Sequence, residues 1–116
     1  MNTNQNSKKY DLEERTFEYS KKVLSFVKTL PKNMPYSEIS SQLFRSATSV
    51  GANYIEANES LSKKDYVMRV KICRKECKES VYWLKLLDLF ENEKAGLIQE
   101  GMELTKIFGS ILEKCK

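Results

Sequence analysis

Histidine is absent from this chain of 116 residues, and proline and glycine are scarce, with two and four copies. Without His, the commonest general base and metal ligand is missing. No Ser-His-Asp set, zinc motif or Gly-rich phosphate loop can be assembled. No catalytic residue, metal or cofactor is therefore expected. Both prolines, Pro31 and Pro35, fall in one short stretch, which leaves long uninterrupted segments on either side. The three cysteines, an odd number, argue against a disulfide framework. Cys73 and Cys77 stand four apart on an expected helix and read as small buried hydrophobes. No apolar run approaches the ~20 residues of a membrane span, so no membrane contact is expected. The opening Met1 to Lys9 has no apolar signal core, and residues 1–10 are expected to form a flexible polar tail on a cytoplasmic protein.

What remains suits a single all-α domain over residues 11–116. Hydrophobic residues make up 41% and charged residues 31% of the chain, the balance of a helical protein with one core. The net charge of +4 is unevenly spread. Residues 63–85 carry eight basic and three acidic side chains, whereas residues 37–62 and 86–116 are each net negative.

Hydrophobic spacing predicts four helices. The first runs from Asp11, a candidate N-cap, to Leu30, with Leu12, Phe17, Val23, Leu24 and Val27 facing the core and Tyr19 and Phe26 widening that face. Pro31 ends it, and Ser37 is the expected cap of the second helix, residues 38–59, whose stripe is Ile39, Leu43, Ala47, Val50, Tyr54 and Ala57. Ser62, three residues before Asp65, caps the third helix, which is expected to reach Phe90 or Glu91. That helix has two apolar stripes. One is Tyr66, Val70, Cys73, Cys77, Ser80, Leu84 and Leu87; the other is Met68, Ile72, Glu76, Glu79, Trp83, Leu86 and Phe90. Two stripes exceed the needs of one seam in a monomeric bundle, so a homo-oligomer is expected. Gly96 is read as the end of a turn, with the fourth helix at residues 97–115. Short connections between long helices predict an antiparallel up-down-up-down four-helix bundle.

The stretch from Gln42 to Ala57 is the most distinctive. Ser46, Ala47, Ser49, Gly51 and Ala52 are small enough to let another backbone approach, and Arg45, Asn53 and Glu56 stand among them. Gln42-Leu43, Arg45-Ser46, Ser49-Val50, Asn53 and Glu56, then Ser62, Asp65-Tyr66 and Glu79, resemble the pattern of the four helix bundle protein family. Its founding members are encoded within intervening sequences of bacterial 23S rRNA genes. Many members have Gly where this chain has Ala57. The resemblance implies an up-and-down bundle that assembles as a ring, commonly a homopentamer. It also implies kinship with the accessory variability proteins of diversity-generating retroelements, basic pentamers that bind nucleic acid and a reverse transcriptase.

Three sets of residues are candidates for function. Arg45, Asn53, Glu56 and Glu79 are expected to form a structural polar network between the second and third helices, because a lone carboxylate on an apolar stripe needs a partner. Lys64, Lys71, Lys75, Lys78 and Lys85 lie along one face of the third helix, with Arg74 and Tyr82 beside them, suited to RNA or DNA phosphates without base reading. The alternative is a solvated face on a scaffold with a protein partner. Tyr36, Tyr54, Tyr66, Tyr82 and Trp83 could stack on bases, but at helical spacing they read first as core or interface.

Overall fold

Ser62 shows how local chemistry sets the frame. Its backbone is extended, and its side chain accepts a 3.1 Å hydrogen bond from the Asp65 N–H, so a new helix starts at the next residue. The structure, a computed structural model, describes residues 4–116, with side chains from Leu12 onward. It consists of α1 (Asn4–Val27), α2 (Tyr36–Asn58), α3 (Lys63–Leu86) and α4 (Glu91–Lys114), with no strand among the described residues. The expected tail of residues 1–10 begins outside the described residues, and α1 starts ahead of Asp11. Helix α2 also begins before its expected cap: Pro35 precedes it and makes no side-chain cap bond.

Each helix buries one face. On α2 the inward residues are Leu43, Ser46, Ala47, Val50, Tyr54 and Ala57, close to the stripe read from spacing. On α1 the buried set is Leu12, Thr16, Tyr19, Val23 and Phe26, and Leu30 is buried just past the helix end. Phe17 and Leu24, expected in the core, are instead exposed, at 58% and 39%. The six buried residues recur every three or four positions, and at 3.6 residues per turn Phe17 and Leu24 fall outside their arc. On α3 the first stripe is buried from Val70 to Leu84. Of the second stripe, Ile72, Glu76 and Trp83 are half-buried, while Met68, Glu79, Leu86 and Phe90 are exposed.

Contacts between neighbouring helices run in opposing order. From α1 to α2, Glu13 meets Asn58 (2.6 Å), Thr16 abuts Gly51 and Ser20 donates to the Ala47 carbonyl (3.3 Å). From α2 to α3, Cys73 donates to the Val50 carbonyl (3.4 Å) and Arg69 to Asn53 (2.9 Å). Tyr19 reaches across the core to Ser80 at 2.7 Å. Ser80 in turn donates to the Cys77 carbonyl (2.8 Å), so Tyr19 is the donor to Ser80. Gly101 of α4 sits beside this pair, and Tyr54 packs on Phe108 with ring centroids 5.7 Å apart. Of the helix pairs packed side by side, α1 and α4 meet least. They are tied by Arg15, whose guanidinium donates to Glu100 (2.7 and 2.9 Å) and Glu103 (2.7 Å).

The α3–α4 connection differs from the expectation. Helix α3 stops at Leu86, and α4 starts at Glu91 rather than residue 97. Leu87 turns extended while staying buried, and Phe90 takes a left-handed φ of 55°. Phe90 also packs edge-on against Phe26, at 6.2 Å. Lys94 is buried, donates to the Leu87 carbonyl and pairs with Glu91 at 3.1 Å, which satisfies an acceptor at the end of α3. Gly96 therefore lies inside α4 rather than ending a turn. Nothing stands within 4 Å of the position its Cβ would occupy, so no crowding selected it.

Candidate functional site

Helix α3 positions the basic residues because its inward stripe fixes the helix's rotation. Val70, Cys73, Cys77 and Leu84 are fully buried. With those facing inward, Lys64, Lys71, Arg74, Lys75, Lys78 and Lys85 are all exposed. Four of them, Lys71, Arg74, Lys75 and Lys78, line one shallow depression of about 400 Å³ together with Glu79 and Tyr82. Lys64 and Lys85 lie outside it, towards the two ends of α3. Only Lys75 among the four is in an ion pair among the described residues, with Glu76 at 3.7 Å. Glu79 is the single acid in the depression. The arrangement concentrates donors for an anion; it contains no nucleophile beside a base.

The four residues of the expected polar network are not brought together within the chain. Arg45, Glu56 and Glu79 are exposed and make no side-chain hydrogen bond or ion pair among the described residues. Asn53 is half-buried, and its amide donates to the Ser49 carbonyl and hydroxyl, both at 2.9 Å. Its acceptor side takes Arg69 of α3 rather than Arg45. The reason is rotational. Leu43, Ala47, Val50 and Tyr54 take the inward arc, and Arg45 and Glu56 lie well round the helix from it. The carboxylate that does meet burial is Glu76. Desolvation, and then the nearby Glu79 charge, raise its pKa above the ordinary carboxylate value, opposed by Lys75.

Of the aromatic set, Tyr54 is in the core, Tyr66 and Trp83 are half-buried, and Tyr36 donates to Asp88 across the end of the molecule at 2.9 Å. Tyr82 alone is largely open, at 61% exposure, and rests edge-on against Trp83 with centroids 5.0 Å apart. The cysteines behave as hydrophobes. Burial pushes the Cys73 thiol up to about 12 and raises Cys77 as well, so neither is a thiolate at neutral pH. No cluster of three or more potential metal ligands occurs among the described residues. No helix of the described residues is long and apolar enough to cross a membrane.

A second, larger cavity of about 1140 Å³ runs between α1 and α4, with Phe26, Phe90 and Leu97 among charges of both signs. Sequence reading passed over it, along with Arg15, Arg69 and Lys94. Arg69 carried a usable signal: it stands four residues before buried Cys73, on the side of α3 that meets α2. Lys94 carried none, because it sits in a polar run that reads as solvent-facing.

Four packed helices around one core, with a basic face left open on α3, define an all-α four-helix protein. The chain belongs to the 23S rRNA-intervening sequence protein family, which it matches over residues 8–112. It is similar to the crystal structure of a protein of unknown function from the S23 ribosomal protein family of Bacteroides thetaiotaomicron. The two are 27% identical with a TM-score of 0.78, over 86% of this chain and 96% of that one. No curated protein matches the chain.

Proposed function

We propose that this protein is a non-enzymatic homo-oligomer whose basic α3 face binds the backbone of RNA or DNA without reading sequence. The observation that carries the reading is the depression in which Lys71, Arg74, Lys75 and Lys78 converge against one acid. Four exposed cations on one rigid helix attract phosphate over a wide area and give no base-specific pattern. Lys64 and Lys85 extend the band along α3. The opposing order of the helix contacts favours the up-down-up-down arrangement.

Assembly is supported by the apolar surface left exposed. Met68, Leu86 and Phe90 on and just beyond α3 are 46%, 52% and 41% exposed, and Phe17 and Ile55 exceed half. Assembly would cover such side chains, which gain by leaving water. A cytoplasmic ring of five copies is the arrangement proposed. In that ring Arg45 and Glu56, whose side chains pair with no described residue of their own chain, find partners across the subunit contact. A ring also repeats the basic face by symmetry, which multiplies affinity for long strands. The same apolar surface favours the second reading, a scaffold that binds a protein partner.

A salt titration separates the two. Affinity for random-sequence RNA and DNA should fall linearly in log-log form, with a slope of roughly −0.9 per phosphate neutralised on duplex DNA. Reversing Lys75 and Lys78 to Glu should flatten that slope by about 2 and weaken every sequence alike. Absence of binding at low salt would leave the scaffold as the better account.

A further inference from the structure

We propose that Tyr82 is a base-stacking platform that makes the α3 face a site for single-stranded rather than double-stranded nucleic acid. This rests on the phosphate-binding reading above and adds the ligand's form.

Four of the five candidate aromatics are buried, half-buried or tied to another residue. Tyr82 is the exception, and it lies inside the depression formed by Lys71, Arg74, Lys75 and Lys78. An exposed aromatic on a strongly basic face gains little from the core, because 61% of it stays in solvent. Its ring is nevertheless braced: Trp83, itself half-buried, meets it edge-on at 5.0 Å and 79°. A braced ring loses less conformational freedom when a base stacks on it.

The spacing fits one strand. At a rise of 1.5 Å per residue, Lys71, Lys75, Lys78 and Tyr82 follow one another along the helix axis at steps of roughly 4.5 to 6 Å. A backbone held by the lysines can thus lay a neighbouring base on the ring. Duplex nucleic acid does not exploit this arrangement. Its base faces are stacked on one another, and only its groove edges and phosphates are accessible. Helix α3 is also flanked by α2 and α4 along its length, so it does not project as a recognition helix entering the major groove must.

The test uses the full chain and fluorescence anisotropy at low salt. The probes are a labelled thymidine 30-mer and the duplex it forms with its adenosine complement. The single strand should bind more tightly than the duplex. Tyr82→Ala should weaken single-strand binding roughly 5- to 150-fold, the range for losing one stacked base. It should leave duplex affinity and both salt slopes unchanged, because no phosphate contact is removed. Tyr82→Phe should retain the single-strand affinity. Trp83 is the only tryptophan in the chain, so its emission should change on single-strand binding in the wild type. Equal affinity for the two forms, or an unchanged single-strand affinity in Tyr82→Ala, would overturn the stacking proposal while leaving the phosphate reading intact. Loss of all binding in the wild type would overturn both. Thermal melts of the variants check that folding survives at this exposed position.

Discussion

Gly101 offers the sharpest test of how the core is packed. A Cβ built there would stand 2.6 Å from Val81 Cγ2 and 2.9 Å from the Tyr19 hydroxyl oxygen, well inside contact distance. Neither neighbour can yield freely. Val81 is buried, and Tyr19 is 1% exposed with its hydroxyl committed to Ser80 at 2.7 Å. Overpacking of this kind costs about 1–3 kcal/mol, and breaking the buried Tyr19–Ser80 bond would add about 1 kcal/mol. Against this, Gly→Ala inside a helix contributes about 1 kcal/mol in the favourable direction. Gly101→Ala should therefore be destabilising by about 1–3 kcal/mol, which for a domain of this size lowers Tm by roughly 4–15 °C. Gly96→Ala and Gly109→Ala are the controls. Nothing lies within 4 Å of the Cβ position at either residue, so each should gain up to about 1 kcal/mol. Thermal melts at one fixed protein concentration measure all three, because assembly makes Tm concentration-dependent. Adding Val81→Ala to Gly101→Ala should recover part of the loss as a coupling between the two sites. A Gly101→Ala protein as stable as the wild type would refute the close approach of α1, α3 and α4.

Ser62→Ala should cost about 1 kcal/mol by stranding the Asp65 N–H at the start of α3, read by chemical denaturation. The raised pKa of Glu76 predicts a pH effect of definite sign. The folded state holds that proton more tightly than the unfolded chain, so its contribution is present below the unfolded pKa and lost as pH rises through the folded value. Glu76→Gln should remove that fall and raise Tm at neutral pH; an unchanged pH profile would show that Glu76 is not desolvated. Arg45→Ala should leave subunit stability within about 0.5 kcal/mol, as at any exposed site, and weaken assembly, measured by light scattering. The wild type should scatter as a multiple of 13.5 kDa, and a monomer mass at all dilutions would refute assembly.

Periodicity alone was enough for four helices and for most of the buried set on α2 and α3, because a helix must turn one stripe inward and solvent-facing positions take charge. The start of α3 was also legible, since the Ser62 cap is a purely local bond. So was the exposure of the basic band, which follows from its place opposite Val70, Cys73, Cys77 and Leu84. The α1 face was less clear, as Phe17 and Leu24 share the apolar character of Tyr19 and Phe26 and only neighbours choose between them. Composition likewise excluded His-based chemistry at the outset.

What spacing cannot supply is which side chain on one helix meets which on another. Arg45 and Arg69 are chemically equivalent partners for Asn53, and the rotation and height of α2 against α3 selected Arg69. The turn after α3 was decided by burial of Leu87 and by a lysine reaching back from α4, against the local signal of Gly96. Helical spacing placed Tyr82 beside the lysines of α3, yet like the other aromatics it read first as core or interface. Its exposure follows from the packing of α3 between α2 and α4, because a residue's environment is set by the neighbours that surround its helix, and those come from distant parts of the chain.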